Sequence, residues 1–181
     1  MTYSMCIKSI FSKEWYGYNY NTSCTSRDAI NAVDDFIIRK FNGKLPDNIT
    51  FRIDDDPQYI AKEFNNYLKT MGIYHEYIEK ETPEENGDIE SFHNSIKTDY
   101  IWINEINNFN HGKIIIEKAF YDYNNIRSHS TLDCYSPMQF LDKWNSDSSF
   151  REYYRGFLKN LKESYRRRKS NYYKNLMINV S

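Results

Sequence analysis

No stretch of this chain strings together the roughly 18 apolar residues that a membrane helix needs, so no bilayer-spanning helix is expected. The opening residues, Met1-Thr2-Tyr3-Ser4-Met5-Cys6, lack the basic region and long apolar run of a secretory leader. Cysteine is scarce: Cys6, Cys24 and Cys134 stand far apart, without the paired spacing of a zinc finger or a disulfide framework. His75, His93, His111 and His129 do not cluster as metal ligands either. Isolated thiols without a leader fit ordinary reduced cysteines, and the expected location is cytoplasmic, away from membranes. Internal repeats are absent.

The chain does have aromatic mass, with 17 Tyr and 11 Phe among 181 residues, enough for one domain of ordinary size with a tail. A net charge of −1 conceals an asymmetry. Residues 145–181 carry nine Lys and Arg against Asp147, Glu152 and Glu163, a tail of about +6 on a body of about −7. The expected organisation is a body over 1–144 and a basic helical tail over 145–181, in which Arg166, Arg167, Arg168 and Lys169 would meet a polyanion.

Strands and helices alternate along the body. Residues 3–11 and 14–20 read as short strands rich in Ile, Phe, Trp and Tyr. Thr25 and Asp28 can cap a helix in which Ala29, Ile30, Val33, Phe36 and Ile37 recur at helical spacing to about Phe41. A strand over 48–54 follows, then a helix from about Gln58 with Ile60, Phe64, Tyr67, Leu68 and Met71 on one face, stopped by Gly72. Residues 73–78 read as a strand. Asn86-Gly87 reads as a tight turn, with Gly87 at positive φ, before a helix with two stripes. Ile89, Phe92 and Ile96 would pack inward, while Glu90, His93, Asn94 and Lys97 would share another face. Further helices are expected over about 112–124 and from Pro137 onward. Such alternation implies an α/β layer with helices on a central sheet.

Thirty-five residues separate Asp54 from Glu90, and their surroundings make that spacing informative. Asp54 closes the apolar run Ile49-Thr50-Phe51-Arg52-Ile53 and precedes Asp55-Asp56-Pro57-Gln58-Tyr59. Glu90 lies in Pro83-Glu84-Glu85-Asn86-Gly87-Asp88-Ile89-Glu90-Ser91-Phe92-His93. Downstream come Tyr123-Asn124-Asn125-Ile126-Arg127-Ser128-His129-Ser130-Thr131-Leu132 and Ser136-Pro137-Met138-Gln139-Phe140-Leu141. These ordered blocks, over about half the chain, resemble the catalytic core of DDE-type transposases and retroviral-integrase-like proteins.

The resemblance implies a ribonuclease-H-like mixed sheet flanked by helices, and a function in DNA strand cleavage and transfer. It implies that Asp54 and Glu90 are catalytic and hold metal, as the second and third carboxylates of that family. Two Mg²⁺ or Mn²⁺ ions would clamp the attacking and leaving oxygens of a phosphodiester, and Mg²⁺ prefers carboxylate oxygen and water. Asn86, His93 and Lys97 would contact DNA. Transposon ends and target DNA are the implied partners, and synapsis of two ends implies a homo-oligomer.

Departures shape the expectation. The family's first aspartate sits on a first strand, in an Asp-x-Thr segment, and residues 1–11 contain no Asp or Glu. The expectation is therefore an N-terminally truncated core with the first strand missing, inactive or impaired alone, since that aspartate bridges both metals. Asp56 stands where the family has glycine, Ser91 where it has Arg, Ile126 where it has Glu and Ser128 where it has Pro. Two other readings stand beside this one: a non-catalytic DNA-binding or oligomerising transposase fragment, and a small nuclease related to ribonuclease H.

Overall fold

The hairpin that opens the chain is built from alternating β-favouring residues: β1, Tyr3–Lys8, pairs antiparallel with β2, Trp15–Asn21. The register runs from Tyr3 opposite Asn21 to Ile7 opposite Gly17, and a bulge then sets Lys8 opposite Trp15. The computed structural model of the chain describes residues 1–53, 56–77, 83–161 and 163, which fall into two units divided between Asn124 and Asn125.

In the first unit, helix α1 spans Ser26–Phe41 and starts as the sequence predicts. Thr25 and Asp28 form a reciprocal capping box, and Asn42 closes the helix at φ 51°. Gly17 lets α1 lie tightly on β2, because a Cβ there would stand 2.6 Å from the Phe36 backbone nitrogen. The side chains of Asp35 and Asn124 cover the outer edge of β2. Tyr18 N–H donates to Asp35 Oδ2 at 3.0 Å, and Trp15 N–H donates to Asn124 Oδ1 at 2.8 Å.

Strand β3, Thr50–Ile53, pairs in parallel with β4, Tyr74–Tyr77. The expected single helix between them is two: α2, Pro57–Ile60, and α3, Lys62–Thr70. Ala61 has extended backbone (ψ 136°), and Asn65 Nδ2 donates to the carbonyls of Ile60 and Ala61 at 3.1 and 3.2 Å, serving the broken end. Ile60 consequently points to solvent instead of sharing the face of Phe64 and Leu68, which are buried. Gly72, at φ +70°, ends α3 as expected.

Helix α4 spans Pro83–Ile96 and runs on into a π-turn over Lys97–Ile101. The predicted turn at Asn86-Gly87 is not formed. Gly87 lies within the helix, which already starts at Pro83, a residue with no N–H to leave unsatisfied in a first turn. Helix α5, Phe109–Asn125, presents Ile115, Ile116, Ala119 and Tyr123 inward. A side chain at Gly112 would collide with the Tyr20 hydroxyl, so α5 approaches β2 closely there.

Two apolar clusters hold this unit. One gathers α1 and α3 with Met5, Ile7, Phe51, Ile53 and Ile73. The other surrounds Trp15 with Tyr20, Phe92, Ile96, Ile116, Ala119 and Tyr123. Cys6 packs against the second, and burial pushes its thiol up to about 12. The architecture is mixed α/β with helices flanking a small sheet, and among the described residues that sheet consists of two separate strand pairs.

The second unit has its own small core of Leu132, Phe140, Phe150 and Tyr154. Helix α6, Pro137–Ser146, begins in a capping box between Ser136 and Gln139, with Pro137 in its first turn. Residues 148–161 are helical, and Tyr154 Oη donates to the Thr131 carbonyl at 2.7 Å. Among the described residues no helix is long and apolar enough to cross a membrane.

Candidate active site on helix α4

A carboxylate can serve chemistry only if its carrier is fixed, and α4 is fixed on two sides. Phe92 and Ile96 are buried, and the Phe92 ring meets those of Trp15 and Tyr123 edge-on, each at 5.0 Å. Beside them, Asp88 accepts from Lys8 Nζ at 2.9 Å and Lys13 Nζ at 3.0 Å, tying the helix to the β1–β2 hairpin. Burial alone would raise the Asp88 carboxyl, but the two ammonium groups hold it below the usual carboxylate range. Lys8 Nζ also stands 5.4 Å from the Phe92 ring centre.

The opposite stripe faces outward as its spacing predicts. Glu90 and Lys97 are exposed and His93 is half-buried. Burial lowers the His93 pKa below the ordinary imidazole value, and the positive charges of Lys97 and Lys8 lower it further. Its Nε2 is buried and has no hydrogen-bond partner among the described residues. Glu90, His93 and Lys97 thus offer an anionic, a neutral and a cationic group along one helix face.

Asp54 lies outside the described residues, as do Arg166, Arg167, Arg168 and Lys169, and so does the side chain of Asn86. Asp56 precedes α2 and accepts a hydrogen bond from Gln58 Nε2 at 3.1 Å. Among the described residues no three His, Cys, Asp or Glu side chains gather to hold an ion. The donor chemistry of Glu90 nevertheless suits a hard divalent cation: an exposed carboxylate on an anchored helix. The Asp88–Lys8–Lys13 cluster escaped the sequence reading. Its signal was a carboxylate at position 88, four residues before Phe92, on the rim of the apolar stripe, where a charge needs a partner.

The fold resembles integrase catalytic cores. The catalytic core domain of BIV integrase superposes with a TM-score of 0.59 at 16% identity, over 80% of this chain and 89% of that one. The HTLV-2 integrase catalytic core domain gives 0.54 at 17%, over 77% and 92%. Residues 71–137, which include all of α4, match the family described as integrase core domain. The putative transposase InsD of insertion element IS2E from Escherichia coli is 31% identical over 104 residues, 57% of this chain and 48% of that protein. An uncharacterized protein of insertion element IS136 from Agrobacterium fabrum is 25% identical over 122 residues, 67% of this chain and 63% of the other. The chain therefore spans about half to three-fifths of these relatives. Family match and transposase relatives together support a DDE-type transposase/integrase core, and the structural neighbours show its fold.

Proposed function

We propose that this chain is a core for DNA strand cleavage and transfer, in which Asp54 and Glu90 together hold Mg²⁺ or Mn²⁺. One observation carries the reading. Within the segment that matches the integrase core family, Glu90 stands exposed on a helix pinned by Phe92, Ile96 and the Asp88 ion pairs. The HTLV-2 core to which the fold is similar is in complex with magnesium, which supports the same ion here. When bound, the ions supply charge neutralisation and an activated water.

The protein's own groups do the rest. Glu90 keeps a negative charge at a fixed place on the helix. His93, held neutral, offers a hydrogen bond without adding repulsion or attraction of its own. Lys97 and Asn86 contact DNA phosphates, and Arg166, Arg167, Arg168 and Lys169 extend that contact along the backbone. Residues 1–11 offer no third carboxylate, so these 181 residues alone act orders of magnitude more slowly than a complete triad, or not at all. The protein works as a homo-oligomer, since two DNA ends must be joined.

The test gives purified protein Mg²⁺ or Mn²⁺ and transposon-end DNA. Strand cleavage that Glu90→Gln abolishes supports the reading. Cleavage that survives Glu90→Gln contradicts it. The uneven charge of the chain favours a second reading, a non-catalytic DNA-binding or oligomerising fragment. That reading expects tight binding without cleavage under every condition, and affinity that falls steeply with salt.

A further inference from the structure

Helix α3 and strand β4 border an open groove of about 730 Å³, lined by Asn65, Asn66 and Lys69 on the helix and by His75 and Tyr77 on the strand. That volume lies in the range of small-ligand sites, about 300–1,000 Å³. The parallel register explains the lining. His75 and Tyr77 stand opposite Phe51 and Ile53, so all four side chains point to the face that the helices cover. Phe51 and Ile53 are taken up by the apolar cluster, whereas His75 and Tyr77, one strand further out, meet the polar flank of α3. Tyr77 is laddered to Ile53, the residue that precedes Asp54 in the chain, so the groove opens beside the strand end that leads to Asp54.

One lining group is held rigid and the others have bonding capacity to spare. Tyr77 Oη donates to Asn65 Oδ1 at 3.0 Å, and Asn65 Nδ2 is itself tied to the carbonyls of Ile60 and Ala61. The phenol ring is thereby fixed while Tyr77 stays 41% exposed. The His75 ring stands perpendicular to it at 5.3 Å, and its nitrogens have no hydrogen-bond partner among the described residues. The side-chain amide of Asn66 is exposed and equally uncommitted. Lys69, one turn beyond Asn65, is exposed and makes no ion pair among the described residues. The strand edge is open too. Tyr74 N–H donates to the Ile49 carbonyl at 2.9 Å, so Tyr74 and Glu76 direct their backbone groups to β3, and His75 and Tyr77 direct theirs away from it.

Building on the DNA reading above, we propose that this groove takes an unpaired nucleotide of a DNA strand. The fixed Tyr77 ring is a platform for the face of one base. The His75 imidazole, the Asn66 amide and the free edge of β4 supply donors and acceptors for the rim of that base. Lys69 is the one formally charged side chain among the described lining residues, and its cation suits a phosphate. A duplex cannot use the site, because its base faces are stacked and its pairing edges occupied. An extended peptide fits less well. Strand β4 is four residues long and offers outward amides at His75 and Tyr77 alone, and a peptide backbone gives Lys69 no anion to meet.

Two binding measurements on the full chain test it, with a twenty-nucleotide thymidine strand as probe, single or annealed to its complement, in EDTA so that no metal takes part. In nuclear magnetic resonance spectra the single strand should shift the amide signals of His75 and Tyr77, and the duplex should not. In anisotropy titrations Lys69→Ala and Tyr77→Leu should each weaken single-strand binding by at least about fivefold and change duplex binding by less than about twofold. Lys69 is exposed and unpartnered, so its variant keeps the test decisive if Tyr77→Leu fails to fold. Equal losses for both forms of DNA overturn the proposal, because the groove then senses backbone charge alone. Single-strand binding that leaves His75 and Tyr77 unmoved overturns it too, and puts the contact elsewhere. A short peptide alternating Val and Thr that shifts both signals where the DNA strand does not assigns the groove to a protein partner, and also overturns it. Cleavage that depends on Glu90, seen while the groove signals stay still, sinks the groove and spares the metal reading. Failure of both forms of DNA to bind sinks the two together.

Discussion

Asn124 accepts a hydrogen bond from the Trp15 amide and donates one to the Trp15 carbonyl, each 2.8 Å long, so one buried side chain serves as partner to the edge of β2. This contact joins residues 109 positions apart and closes α5 onto the hairpin. Replacing Asn124 by Ala leaves a buried N–H and C=O unpaired, at about 1–3 kcal/mol for an unsatisfied group. Urea denaturation should show a loss of about 2–4 kcal/mol for Asn124→Ala. A loss below about 0.5 kcal/mol would mean that water or another group serves the Trp15 backbone.

Asp28 is a second buried polar anchor. Its carboxylate accepts from Asn19, Asn21, Ser23 and Thr25 at 2.7–3.1 Å, fastening the end of β2 to the start of α1. Burial would raise its pKa, but these donors outweigh it and hold the carboxyl well below the usual carboxylate range. Asp28→Ala removes one arm of the capping box and strands several donors, so a loss of about 2–4 kcal/mol is expected. The depressed pKa places the acid sensitivity of this anchor below the ordinary Asp range of about 4. Stability from Asp28 is present above that range and is lost only as pH falls through the lower folded value.

His93 supplies a pH dependence in a separate window. Its folded pKa lies below the unfolded value of about 6.5, so the unfolded chain takes up the proton first. Stability from neutral His93 is therefore complete above about pH 6.5 and declines as pH falls toward the folded value. Urea midpoints measured at pH 7.5 and 5.5 should fall in the wild type, and His93→Gln should flatten that decline. An equal decline in the variant would place the titrating group elsewhere.

How much was legible in the sequence depended on how local each signal was. The capping pairs Thr25–Asp28 and Ser136–Gln139 and the left-handed stop at Gly72 depend on neighbours within a few residues. The two stripes of α4 were legible too, because helical periodicity separates Phe92 and Ile96 from Glu90 and Lys97. Where a local cue competed with its surroundings the reading failed. Asn86-Gly87 has turn chemistry, but a helix starting at Pro83 absorbs both residues. The spacing of Ile60 fitted an apolar face, yet the extended backbone at Ala61 breaks the helix. Partners distant in the chain, such as Asp88 with Lys8 and Lys13 or Asn124 with Trp15, leave no local pattern. Of the candidate site, the family motif pointed to Glu90 and His93 and helical spacing to Lys97, and the structure sets these three along one face of α4 and the π-turn that continues it.

The reading of this chain as a metal-dependent core requires that Asp54 and Glu90 grip the same ions. Nuclear magnetic resonance with trace Mn²⁺ measures this directly, since a bound paramagnetic ion broadens nearby amide signals. The account predicts that the signals of residues 54 and 90 broaden together, ahead of those beside other carboxylates, and that Glu90→Gln removes the effect at both. Broadening at only one of the two, or broadening at residue 54 that persists in Glu90→Gln, would contradict it.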